Sequence, residues 1–231
     1  MPGPTDLIVW FLGTAFELLF VVCSLARKSF LRYFFLNLYL LLSTTVSIGR
    51  FFIFWSYGQR SDQYMYFYYY SDALLTVALF VALISLYSHV LAELRVGDYV
   101  KWGAVFLLLG TAGFSYAVVA QSAERFSTSF VYELSQNLYF VGLVLTYILW
   151  GAVLKLRETR TRLVQIILSL GLYFSGYAAS YALMNFSGKF SILRYMCPAL
   201  GCFLPLSWSL TMLRYTDESR LVPASLVAVP R

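Results

Sequence analysis

Charge is scarce in this chain. Asp, Glu, Lys and Arg together make up 12% of its 231 residues, about half the share of an ordinary soluble protein. Apolar residues reach 60%, more than a soluble domain of this length can hide, whereas lipid accepts such a surface. Cysteine is rare and odd in number (Cys23, Cys197 and Cys202), all three within apolar runs and with no CxxC. That pattern excludes a disulfide framework and a zinc site and reads as small buried hydrophobes. His89 is the single histidine, which excludes a bis-histidine haem site. Glu93 follows it by four residues on the same helix face, but two ligands are too few for a metal, so the two form an interfacial pair. No metal or cofactor is expected. No Ser-His-Asp order, HExxH or paired-carboxylate motif stands in a credible place, so an enzyme is not expected either. The sequon Asn185-Phe186-Ser187 lies too close to the membrane to weigh.

What the chain does have is seven long apolar runs, at about 5–26, 33–55, 66–92, 102–120, 130–154, 163–184 and 192–213. They are far too long for barrel strands and lack a period of two, so they are helices. The expected fold is an all-α integral membrane protein, a seven-transmembrane helix bundle. One membrane domain covers 1–213, and a short, disordered cytoplasmic tail covers 214–231.

The basic residues give this bundle a direction. Twelve Lys and Arg fall in the gaps after runs one, three and five and in the tail, among them Arg27, Lys28, Arg32, Lys155, Arg157, Arg160 and Arg162. The other gaps hold three, or five with Arg50 and Arg194 near span ends. The positive-inside rule then places the N-terminus outside and the C-terminus in the cytoplasm. The opening MPGPTDLIVWFLG has no basic n-region, so the first helix is uncleaved. The net charge of +6 reads as topology signal and lipid contact. No contiguous basic face exists for nucleic acid. The setting is the plasma (cytoplasmic) membrane, crossed many times, and the partners are the bilayer and either a second copy or a partner membrane or cytoplasmic protein.

Tyr64, Tyr66, Phe67, Tyr68, Tyr69 and Tyr70 are nearly continuous before run three. They form an interfacial belt. Because consecutive residues point all round a helix, some also face inward, and Tyr66, Tyr69 and Tyr70 are candidates for an aromatic pocket taking an apolar or cationic ligand. Gly171, Ser175 and Ala179, with Gly176 and Ser180 beside them, and Gly113 with Ala117 mark faces where helices approach closely, within one chain or between chains. A faint internal echo at an offset of 130 aligns Arg27, Arg32, Gly58 and Ser61 with Arg157, Arg162, Gly188 and Ser191, as a parallel 3+1+3 repeat would.

Ionisable groups inside spans are functional candidates by default. Glu17 lies roughly 16 Å into run one at 1.5 Å per residue, near the bilayer centre. A carboxyl there is either protonated or paired with a cation of another helix. It reads as a proton or ion site, a ligand anchor, or a structural carboxyl. Nearer the outer side, Arg50, Asp72, Glu133 and Arg194 sit at similar depth on four helices, with Gln136 and Asn137 a turn below Glu133. They form either a structural latch or the rim of an outward-facing pocket, and Arg50 reaches deepest. Run seven holds the mid-span prolines Pro198 and Pro205, with Gly201 between them. These break backbone hydrogen bonds and make that helix the candidate gate.

Seven spans with the N-terminus outside is also the layout of rhodopsins and G-protein-coupled receptors, and the resemblance is one of topology. No lysine lies well inside a span to hold retinal. Glu93-Leu94-Arg95 stands where the receptor triplet E/D-R-Y would, and run seven has no N-P-x-x-Y. Sugar exporters of the 3+1+3 type share the length and orientation but carry prolines in both repeats, and here the first six runs have none inside. The preferred reading is a sensory, receptor-like module with an outward-facing pocket that acts through a separate partner. A small transporter or ion- or proton-coupled carrier using Glu17 and a kinked seventh helix is the alternative, and a structural subunit of a membrane complex is the third. Unbroken helices argue against a carrier, whose sites use discontinuous ones. The orientation makes its own prediction. A cysteine placed in the gap 155–162 escapes an impermeant maleimide added to intact cells, and efficient labelling there would invert the topology.

Overall fold

The computed structural model describes residues 4–58, 61–91, 97–120, 126–155, 160–186 and 193–216. They form seven α-helices: α1 (Pro4–Ala26), α2 (Phe34–Tyr57), α3 (Asp62–Val90), α4 (Gly97–Ala120), α5 (Phe126–Lys155), α6 (Thr161–Phe186) and α7 (Leu193–Arg214). All seven are long and apolar enough to cross a bilayer, as in a multi-pass membrane protein. Each corresponds to one of the seven apolar runs. α3 starts four residues before its run because Ser61 caps it, its hydroxyl accepting the Tyr64 N–H at 3.1 Å. Just before it, Gly58 ends α2 at φ 82, a left-handed conformation that glycine adopts without strain.

Neighbour relations define the architecture. α1 packs on α2, α2 on α3, α3 on α5, α5 on α6, α6 on α7, and α7 back on α1. Six helices therefore close a ring, and α4 lies outside it, against α5 and more lightly against α3. The ring is filled by large side chains. Trp208 and Phe20 are fully buried, and the Trp208 indole donates to the Ile166 carbonyl at 3.2 Å. Trp150 donates to the next carbonyl, Ile167, at 3.1 Å. A buried indole needs such an acceptor where water is absent.

Glycines show which faces are closed. A Cβ at Gly171 would run into the Trp150 ring, one at Gly142 into Phe174, and one at Gly176 would lie 2.6 Å from Leu200. The small face of α6 is thus used within the chain, against α5 and α7. On α4 the same construction at Gly103, Gly110 and Gly113 meets nothing within 4 Å. Its Gly113–Ala117 face is open.

The end opposite Gly58 is tied by arginines. Arg27 donates to the Leu213 carbonyl at 2.8 Å. Arg162, 2% exposed, donates through Nε to the Tyr215 carbonyl at 3.0 Å, through Nη2 to the same carbonyl, and through Nη1 to Ser29 Oγ at 2.8 Å. Arg160 reaches the His89 carbonyl at 3.0 Å. These carbonyls close α7 and α3, where a helix leaves acceptors unpaired and its dipole favours a cation. Several of the charges that read as topology signals are therefore also C-terminal clamps. The proposed partner of His89, Glu93, lies outside the described residues. His89 itself stacks on Tyr33 at 6.0 Å and sets Nδ1 2.8 Å from the Ser85 carbonyl. In the 130-offset echo, Arg157, Gly188 and Ser191 also lie outside them.

Candidate functional site

The inner face of α2 carries the polar groups that organise the ring. Tyr39, Ser43 and Arg50 follow at spacings of four and seven, so they share one face, with Thr44 beside Ser43. Opposite them on α1 is Glu17, buried at 9% exposure. Ser43 donates to its Oε1 at 2.5 Å and Thr44 to its Oε2 at 3.1 Å. Both carboxyl oxygens are thus held by adjacent hydroxyls of one neighbouring helix, which lowers the cost of keeping the group out of water.

Two turns further along α2, Arg50 leans onto α3. Its Nε donates to Ser71 Oγ at 2.9 Å and its Nη2 to the Tyr68 carbonyl at 3.1 Å. The guanidinium carbon stands 4.3 Å above the centre of the Tyr68 ring, a cation–π contact. Asp72 lies one turn past Tyr68. Its Oδ1 is 3.9 Å from Arg50 Nη2, too far for a hydrogen bond, and the two side chains are 16% and 27% exposed. One side edge of the guanidinium is thus spent on α3, while Nη1 has no partner among the described residues. The Asp72 carboxylate likewise accepts no hydrogen bond among them. Ser135 of α5 is turned toward that carboxylate, yet its Oγ is buried without a hydrogen-bond partner.

Below and around Asp72 stands a column of tyrosines. Tyr173, Tyr177 and Tyr181 recur every four residues on α6. Tyr177 lies 4.6 Å from Tyr173 and 4.7 Å from Tyr139 of α5, parallel to the latter within 9°. Tyr181 is 5.7 Å from Tyr139 and 5.8 Å from Tyr132. The Tyr177 hydroxyl donates to the Cys197 carbonyl at 3.3 Å. Asp72 is within electrostatic range of Tyr139, Tyr177 and Tyr181. Tyr39 enters from α2, its hydroxyl turned to that of Tyr173.

Of the expected rim, the structure brings Arg50 and Asp72 together. Glu133, on α5, makes no ion pair or side-chain hydrogen bond among the described residues, and the Arg194 side chain lies outside them. Asn137 points the other way, donating to Ser115 Oγ of α4 at 3.0 Å. There it lines an open groove of about 350 Å³ with Phe106, Gly110, Phe114 and Phe140. Tyr66 and Tyr70 stand on the exposed face of α3, at 39% and 50%. Tyr69 is half-buried and meets Tyr68 edge-on at 5.8 Å. α7 runs as one helix through Pro198, Gly201 and Pro205, and Ser209 donates to the Pro205 carbonyl at 2.7 Å. Ser43, Thr44, Ser71 and Ser135 carry the site without having stood out in the sequence, because hydroxyls are common in apolar helices. The four-residue spacing of Tyr173, Tyr177 and Tyr181 was the available signal for the column.

Comparison with protein families, curated proteins and solved structures gives no match.

The Glu17 cradle predicts an order of stabilities. Ser43→Ala with Thr44→Val strips both donors from a buried carboxyl and lowers unfolding stability by about 2–4 kcal/mol, at about 1–3 kcal/mol per buried group left unsatisfied. Glu17→Gln, whose amide still pairs with both hydroxyls, loses less than about 1 kcal/mol. Thermal unfolding of the purified protein in mild detergent checks this, and the reverse order would dissolve the cradle.

Proposed function

We propose that the protein is a receptor-like sensory module of the plasma membrane, with an outward-facing recognition mouth at the Gly58 end of the ring. The observation that carries this reading is the half-used pair of Arg50 and Asp72. Opposite charges stand 3.9 Å apart with no hydrogen bond between them, inside a rim of tyrosines. A pair serving stability alone would close to hydrogen-bond distance and fill its remaining donors and acceptors. Groups left open at one point of a membrane bundle are groups available to a ligand.

The same reading supplies a route for a signal. α3 is a continuous rod from Asp62 to Val90. Near one end it carries the Tyr68, Ser71 and Asp72 contacts to Arg50, and at the other its His89 carbonyl is held by Arg160. A ligand that draws Arg50 or Asp72 shifts α3 against α2, and the displacement reaches the basic end, where a separate partner protein reads it. With the N-terminus outside, that end is cytoplasmic.

A second reading, a proton-coupled carrier, is favoured by one specific feature: Glu17 sits buried between α1 and α2 on two hydroxyls. The open glycine face of α4 suits a contact with another membrane protein in either case. Proton flux separates the first two. Proteoliposomes containing the full chain and a trapped pH-sensitive dye, placed under an imposed proton gradient, acidify no faster than protein-free vesicles, and Glu17→Gln changes nothing. A flux that Glu17→Gln abolishes makes the protein a carrier.

A further inference from the structure

We infer that the mouth takes a small zwitterion, a molecule carrying an ammonium and a carboxylate a few bonds apart, of which a free amino acid is the simplest class. The inference rests on reading the Arg50–Asp72 region as a recognition site, and it follows from which atoms there remain unused.

The guanidinium has two edges suited to a carboxylate. The edge formed by Nε and Nη2 is taken by Ser71 Oγ and the Tyr68 carbonyl. The edge formed by Nη1 and the second Nη2 hydrogen is left, and its parallel N–H bonds match two carboxylate oxygens. Asp72 offers up to four acceptor positions, and none accepts a hydrogen bond among the described residues. An ammonium brings three donors. Ser135 supplies the independent sign that something polar belongs there. Its hydroxyl is 1% exposed, has no partner, and is turned toward Asp72. Such an orphan is rare in a native interior unless a ligand or ordered water completes it. Tyr68, Tyr139, Tyr177 and Tyr181 lie within electrostatic range of the carboxylate, and aromatic rings near it favour a cation or an apolar side group.

Charge decides between ligand classes. A simple anion drawn to Arg50 meets Asp72 a few ångströms away, and a simple cation drawn to Asp72 meets Arg50. With the two groups 3.9 Å apart and partly exposed, the repulsion weakens a singly charged ligand by about ten-fold. A zwitterion meets an opposite charge at each end.

The test uses the full chain in lipid nanodiscs and isothermal titration with the twenty standard amino acids, each binder then compared with its decarboxylated amine and its deaminated acid. At least one amino acid binds, and each of its singly charged counterparts binds at least about ten-fold more weakly. Arg50→Lys and Asp72→Asn both abolish binding in protein that remains monodisperse. Ser135→Ala is the decisive variant, since it removes a hydroxyl that supports no internal bond. It weakens binding three- to ten-fold and leaves the unfolding midpoint unchanged. Binding by no amino acid, equal binding by an amine or acid counterpart, or full affinity in Ser135→Ala overturns the inference. These failures leave the receptor reading standing. Conversely, proton flux lost in Glu17→Gln overturns the receptor reading while a zwitterion remains the ligand of the mouth.

Discussion

The bilayer offers no water, so every polar group within it must find its partner in the protein or go without. This constraint shapes the ring more than any apolar contact does, because lipid competes with apolar packing and cannot compete for hydrogen bonds. Buried indoles take carbonyls of α6, and Glu17 takes two hydroxyls of α2. Arginines close the carbonyl ends of α3 and α7. Against that background of satisfied groups, the exceptions stand out. Asn37 Oδ1 at the α1–α2 turn is one, buried without a partner; Arg50 Nη1, the Asp72 carboxylate and Ser135 Oγ are the others, and these three lie together.

Closure of six helices into a ring gives these groups a common interior. With α3 directly against α5, the Asp72 carboxylate comes near Ser135 and Tyr139, which a sequential seven-membered ring would hold apart by α4. The displaced α4 shows its glycines to the outside, while Gly142 of α5 and Gly171 and Gly176 of α6 are spent on close approach to Phe174, Trp150 and Leu200. α1–α2–α3 and α5–α6–α7 take equivalent places around the ring, as in a 3+1+3 arrangement, although the contacts of each triplet are made by different residues.

The helices were legible in the sequence because long apolar runs have few other solutions in a membrane, whereas Gly58 and Ser61, noted only in the internal echo, end α2 and cap α3. Arg50 and Asp72 were legible as costly charges at one depth. Their third and fourth companions were less so: depth along a helix says nothing about azimuth, and Asn137 faces α4 while Tyr66 and Tyr70 face outward. The tyrosine run in the first turns of α3 drew attention by its density, yet the stacked column is built on tyrosines spaced by four on α6, where spacing and not density sets the face. Hydroxyls such as Ser43 and Ser135 carry no sequence signal, because serine bonded to its own helix and serine bonded across helices look the same until the neighbours are known.

The account turns on whether Arg50 and Asp72 form a closed structural pair or an open one. A double-mutant cycle of Arg50→Gln and Asp72→Asn, read as unfolding free energy of the ligand-free protein, decides this directly. For partly exposed charges 3.9 Å apart without a hydrogen bond, the account predicts a coupling below about 1 kcal/mol. A coupling of about 3–5 kcal/mol, the range for breaking a buried and fully paired bridge, would show that the two charges hold the fold together and would contradict a recognition mouth.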